Sequence, residues 1–519
     1  MLKERLIPHI RIFYLFLIAA AMFGLLYALQ LVGIGLELIR PDLVRSLHIS
    51  LMLYGFPTVM MALLPFALFD KEGVMDKEAW GYLEKFFWLW YLFLVLMLFS
   101  LLYGATRGLP FYDFPYELNF ILAAAGIFYI IAIFKAIRNY KTKPLWVKVS
   151  LVAVSVSPLA LLVLMNPEYG QVEKMLLGPH GDNTLGMSFA LMVIYYLALK
   201  LASPKQHLKT RWHILWIIPL GFYVLSVLYR SFVSSLSYEQ EWFLQYLTLL
   251  YIPLLYRWWK DAGVRVRENM ALFLSMAAFV FADIEGNILF IPHLRELFHR
   301  NDLVVGHAHV AVGIGFLFLA FAIIDRYWSL GRKHYLYIAG MLTLMSAVLS
   351  LSGFEQAGFG QMHTETLWYL RAFFGFLVLA GFLRVKDLYR PVVTLLRQRT
   401  LDKERLYHLA GFASDGLGGL MLLLFAPLLY GMIGQPFSPG YQQIVFGFVT
   451  AVGMMHLMAL IYPDDARAYA NATVIARVLT AAGFFALYKT GQLGQIAGAI
   501  AAVDLAFAGV YLFYIKERK

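Results

Sequence analysis

Apolar runs close to the roughly 20 residues that an α-helix needs to cross a bilayer follow one another from Ile10 almost to the end of the chain. No polar block large enough to fold as a separate soluble domain interrupts them. The expected fold is therefore an all-α, polytopic membrane protein with about sixteen spanning helices. The first twelve are expected at about 9–37, 46–70, 84–105, 116–137, 145–165, 183–202, 213–235, 241–258, 269–293, 303–326, 333–352 and 365–386, and four more at about 407–433, 441–463, 469–489 and 491–515. The longest basic connection, Arg384 to Arg405, separates the two blocks. It defines a core over 1–390, a basic cytoplasmic linker over 391–406 and a four-helix membrane module over 407–519. The first run is too long for a signal-peptide core and leads directly into another span, so it is expected to be retained.

The formal charge of +11 raises nucleic acid as a partner, but the distribution of the charge argues against it. Basic clusters at Lys3–Arg5, Lys135–Lys148, Lys200–Arg211, Arg257–Arg267, Arg326–Lys333, Arg384–Arg405 and Lys516–Lys519 occupy alternate short loops and both termini. That is the positive-inside pattern of a chain with both termini in the cytoplasm, probed by a lipid bilayer and not by a polyanion. With 61% hydrophobic and 14% charged residues, against about 25% charged in soluble domains, the chemistry must lie within the membrane or at its surfaces. Cysteine is absent, which excludes disulfides, iron–sulfur clusters, thiolate metal sites and covalently attached haem c. Any cofactor must be held by His, Met, Tyr or carboxylate.

Ionisable groups inside spans are costly and mark function, so the few intramembrane histidines are the most informative residues. His48 lies just inside the second helix. His307 and His309 lie just inside the tenth, in Gly306-His307-Ala308-His309. Residues two apart on a helix project about 200° apart, so one helix can serve two cofactors. Both helices begin on the same, non-cytoplasmic side, which puts all three imidazoles at matching depth. A lone buried histidine is more often a hydrogen-bonded core residue than a ligand; three at one depth point to haem ligation. His48 and one of the pair would clamp a low-spin haem, and the other would hold a five-coordinate, high-spin haem.

At these residues the chain resembles the catalytic subunit of the haem–copper oxidase superfamily, in its cbb-type oxidase and nitric oxide reductase branch. His299-Arg-Asn-Asp302-Leu-Val-Val-Gly306-His307-Ala-His309 is similar to that family's H-x-x-D-x-x-x-G-H-x-H stretch. The resemblance covers about residues 9–390 and implies two b-type haems, a high-spin one on His307 and a low-spin one between His309 and His48. It also implies cofactor-side roles for Arg45, His299, Asp302 and Arg371, the last in Leu367-Trp-Tyr-Leu-Arg371-Ala-Phe-Phe-Gly375. Glu285, in Ile284-Glu285-Gly286, matches the Glu of the family's F-E-G-P segment. The metal positions depart from the pattern. Gly181-Asp182-Asn183 stands for G-H-N, Ser234-Ser235-Leu236-Ser237-Tyr238 for H-H-L-H-Y, and Phe279 for the redox tyrosine. Asp182, Ser234 and Ser235 thus replace the copper ligands, and hydroxyls are poor ligands for copper, so no copper is expected. Asp182 and Glu285, with His180 or Asp283, offer an oxygen-rich alternative for another metal, although hydrogen bonding and proton relay by these carboxylates is the favoured reading.

The resemblance leads to two expectations. One is a dihaem oxidoreductase that reduces nitric oxide, oxygen or a related molecule, with Glu285 and Asp182 as proton donors. The other is a non-catalytic relay or anchor within a larger respiratory complex. Electrons would come from a cytochrome c or iron–sulfur subunit, or from quinol. Tyr223, Ser226 and Tyr229 form a polar stripe on the seventh helix that either conducts protons or satisfies its own hydrogen bonds. His207 and His213 belong to a cytoplasmic loop, and His363 and Glu365 read as a polar helix start. The last four helices are expected to face lipid or a partner, with few intramembrane charges and no paired histidines.

Overall fold

The computed structural model describes residues 2–34, 39–109, 111–168, 181–205, 214–360, 363–389, 402–432, 436–438, 440–491 and 494–515. Among these residues the chain is all-helical, without strands, and fifteen helices are long and apolar enough to cross a membrane. Their outward surfaces are apolar: Trp88 is 60% exposed and Phe232 82%. Such rings on the outside suit a lipid solvent, in which apolar exposure carries no penalty.

One expected span differs. The stretch expected as a single helix over 241–258 is a helix Tyr238–Tyr246, a 3-10 turn Leu247–Leu250 and a second helix Tyr251–Ala262, joined without leaving right-handed helical dihedrals. Glu239, Gln240, Glu241 and Gln245 crowd its first half, and Arg257, Lys260 and Asp261 its end. This leaves a shorter apolar stretch than in its neighbours. The second span is also segmented, into Pro41–Tyr54, Pro57–Met61 and Leu64–Lys71. Pro57 and Pro65 lack the N–H that an unbroken helix would use, which accounts for the interruptions.

The chain divides into two compact units, Met1–Val385 and Lys386–Lys519, at the start of the basic connection. In the first unit the core is built around the helix Leu317–Ile324, in which Leu317 to Phe321, Ile323 and Ile324 are all buried. A helix apolar on every side must be surrounded, and Phe321 meets Tyr14, Phe56 and Tyr335 at ring-centre separations of 6.5, 5.3 and 5.6 Å. This helix is the continuation of Asp302–Ala308 through a π-helical segment, His309–Phe316. Its first turn is fastened from three sides. Asn301 caps it by accepting from the Leu303 N–H at 3.0 Å, and Asp302 accepts hydrogen bonds from Ser352, Gln356 and Trp368 at 2.6, 2.9 and 2.7 Å. Gly306 and Gly353 let this helix and Arg332–Gln356 approach closely: a Cβ on Gly306 would lie 2.9 Å from the Ser346 carbonyl, and one on Gly353 would collide with Leu303.

The second unit contains the helices Lys403–Gly411, Gly418–Met432, Tyr441–Ile461, Ala466–Lys489 and Gln495–Gly509, with a π-helical segment at Phe412–Leu417. Here one expectation is overturned. His408 and His456 are paired, their Nδ1 atoms 2.9 Å apart, although 48 residues separate them in sequence. Arg477, Asp415 and Asp504 also form a charged group inside the spans.

Candidate functional site

The tenth-helix histidines face different neighbours. His309 looks toward His48: their ring centres are 6.2 Å apart and the ring planes lie within 20° of parallel. The His48 Nδ1 is 2.8 Å from the Ala20 carbonyl, and the His309 Nδ1 is 2.7 Å from the Val305 carbonyl. A carbonyl only accepts, so each Nδ1 carries the proton and each Nε2 keeps its lone pair. An imidazole nitrogen sits about 2.0–2.1 Å from a transition metal and about 1.1 Å from its own ring centre, so two imidazoles trans on one ion have centres roughly 6.2–6.4 Å apart. The observed separation of 6.2 Å is compatible with that geometry.

His307 follows the same rule with a different acceptor. Its Nδ1 lies 3.2 Å from the Glu285 carboxylate on the helix Met270–Leu289, which again leaves the lone pair on Nε2. Gly286 adjoins the ring: a Cβ there would come within 3.3 Å of the His307 Cε1. By contrast, His9 donates to or accepts from the Tyr91 hydroxyl at 2.8 Å and stacks on Phe87 with ring centres 4.6 Å apart, the environment of a core histidine.

Helix packing fixes His48 as closely as its hydrogen bond does. A Cβ on Gly24 would stand 2.7 Å from both Cε1 and Nδ1 of His48, so the imidazole rests against bare backbone. Gly24→Ala is therefore expected to push the ring off the Ala20 carbonyl. On the sequence expectation that this pair ligates a haem, and because outer-shell partners of ligating histidines are worth about 10–100-fold in metal affinity, haem retention there should fall by about tenfold or more. Titrating haem into stripped variant and parent protein checks this.

Arg371 is buried, over the Tyr27 ring at 5.6 Å, and near enough to both His48 and His309 to act on them electrostatically. Arg45 is exposed on the His48 helix. His299 is half-buried at the end of the helix Pro292–Phe298; burial, reinforced by Arg295 and Arg300, pushes its imidazole below the ordinary value.

The carboxylates expected at the non-haem position are held separately. Asp182 is only 2% exposed, bonded to Arg230 at 2.8 Å and to the Ser226 hydroxyl at 3.1 Å. Gly181 makes this placement possible with a φ of 63° and a close approach to Glu241 that no side chain would allow. Asp283 is bonded to Thr248 at 2.5 Å, and Glu285 is engaged by His307. Gln245 links the two regions, accepting from the Gly181 N–H and donating to the Gly286 carbonyl, each at 3.2 Å. Asp182, Glu285 and Asp283 do not converge into one ligand group among the described residues. Ser234 and Ser235 are exposed in the segment after Phe232, with the Ser234 hydroxyl bonded to the Tyr229 hydroxyl at 3.2 Å. His180, His207 and His213 lie outside the described residues. His363 occupies the cap position of the helix Thr364–Leu383.

Sequence reasoning missed Arg230 as the partner of Asp182 and Gln245 as the connector. An arginine in an apolar span was the available signal for the first. No protein-family model matches the sequence, and no curated protein matches it.

Proposed function

We propose that this chain is a dihaem membrane oxidoreductase subunit of the oxidase and nitric oxide reductase type. His48 and His309 would hold a low-spin haem b iron and His307 a high-spin one. The observation that carries this reading is the 6.2 Å separation of two near-parallel imidazoles whose Nδ1 atoms are both committed to carbonyls. Bound there, the haems would supply one-electron chemistry and an open coordination position for a small oxidant such as nitric oxide or oxygen. The chain's own contribution is orientation and charge. Asp302 and Asn301 fasten the helix that carries both ligands, Glu285 fixes the His307 tautomer, and Arg371 places a buried positive charge suited to a haem propionate. Electrons would arrive from a separate haem or iron–sulfur subunit or from quinol. In this reading the haems lie toward the outer side of a prokaryotic cytoplasmic membrane.

A second reading, electron relay or anchoring without turnover, is favoured by the Asp182–Arg230 pair. A metal or a substrate-bound proton path at Asp182 would have to displace a guanidinium already bonded to it. The full-length protein is expected to yield two haems b per chain by pyridine haemochrome assay, one of them binding carbon monoxide, with copper well below one per chain. A colourless protein removes the proposal, and two haems without nitric oxide or oxygen turnover select the relay reading.

A further inference from the structure

The second unit carries a group of buried ionisable residues with no part in the haem reading. His408, on the helix Lys403–Gly411, is 1% exposed, and His456, on Tyr441–Ile461, is fully buried. Their Nδ1 atoms are 2.9 Å apart, so one donates and the other accepts: a proton lies between the two rings. Neither Nε2 has a hydrogen-bond partner. In a neutral pair with this contact, one Nε2 must be a bare lone pair and the other an N–H, both set in apolar surroundings. The His456 ring is seated on Gly411, where a Cβ would lie 2.4 Å from its Nε2.

Beside this pair is a charge imbalance. Arg477, 4% exposed, bonds to Asp504 at 2.7 Å and to Asp415, while its own Nε has no partner. One guanidinium against two carboxylates leaves a net charge of −1 if both acids are ionised. An uncompensated charge in a membrane span is costly, and the least costly remedy is one bound proton. The Tyr407 ring lies against the imidazole pair, with its centre 5.3 Å from His408 and 5.2 Å from His456, and it packs on Phe507 at 6.0 Å, whose ring Arg477 covers at 4.3 Å. Arg477 acts electrostatically on His456, and Asp402 and Glu404 act on His408 from its own helix. Asp415 sits in the π-helical segment that follows His408, a local irregularity often found at functional sites.

We propose that the second unit binds one exchangeable proton inside its membrane-spanning bundle, shared between the imidazole pair His408–His456 and the Asp415–Arg477–Asp504 triad. Uptake and release involve only that proton, without any redox change, and the unit acts as a proton carrier and not only as a lipid-facing anchor.

Solid-state NMR of the full-length protein, labelled with 15N-histidine and reconstituted in lipid, tests this directly. The coupling between the two nitrogens across their hydrogen bond identifies the pair without any variant. As the pH falls from 9 to 5 the nitrogens of this pair are expected to shift from neutral to protonated imidazole values. Asp415→Asn or Asp504→Asn, which remove one negative charge at constant size, should lower the midpoint by about one to three pH units. Rings that stay neutral across the whole range overturn the proposal, as does a pair that responds to added zinc or copper and not to pH.

Discussion

Replacing either His48 or His309 by alanine is expected to abolish the same low-spin haem signal, whereas His307→Ala should leave that signal in place and remove the carbon monoxide-binding species. The reason is geometric. His48 and His309 face one another with ring centres 6.2 Å apart, while His307 turns to Glu285 on another helix. If outer-shell contacts alone are worth about 10–100-fold in metal affinity, removal of the imidazole itself should reduce low-spin haem to background. Optical and electron paramagnetic resonance spectra of the three purified variants make the comparison. The informative outcome is the pattern and not any single loss: variants of His48 and His309 that affected different haems would show that these imidazoles do not share an iron. Glu285→Gln provides an internal control, because it keeps an acceptor near Nδ1 and should disturb the high-spin species less than His307→Ala does.

Those contacts were only partly legible in the amino-acid sequence. The helices were readable because a bilayer imposes a length, and the runs around Leu317 and Leu342 meet it without ambiguity. The stretch 238–262 was less so, since its polar residues cluster at both ends and composition does not reveal a 3-10 turn between them. That His307 and His309 serve different neighbours follows from helical period alone. Which groups fix their tautomers does not: the Ala20 and Val305 carbonyls and the Glu285 carboxylate become neighbours through packing, and backbone acceptors leave no mark in a sequence. The second unit illustrates the same limit. His408 and His456 each look like an isolated histidine in an apolar run, and no spacing rule joins residues on different helices.

Loss of Arg230 offers the sharpest measure of what Asp182 contributes. Arg230→Gln is expected to destabilise the protein by about 3 kcal/mol, the lower end of the range for breaking a buried ion pair, because the arginine side chain is 33% exposed while Asp182 is 2% exposed. The Ser226 hydroxyl remains bonded to the carboxylate but supplies no charge. Adding Asp182→Asn to Arg230→Gln removes the stranded carboxylate and should restore most of the loss, since a neutral amide beside Ser226 needs no counter-ion. Unfolding of the parent, both single variants and the double variant, followed by circular dichroism, closes the cycle. Where the parent turns over, the same four proteins distinguish two roles for Asp182. A carboxylate that donates substrate protons would make nitric oxide or oxygen turnover collapse in Asp182→Asn and stay collapsed in the double variant. A carboxylate whose role is to pair with Arg230 would couple to it in stability, with turnover following the folded fraction. Additive stability losses with no recovery in the double variant would show that the two side chains act independently, and the argument that Arg230 occupies the place of a non-haem metal would then fail.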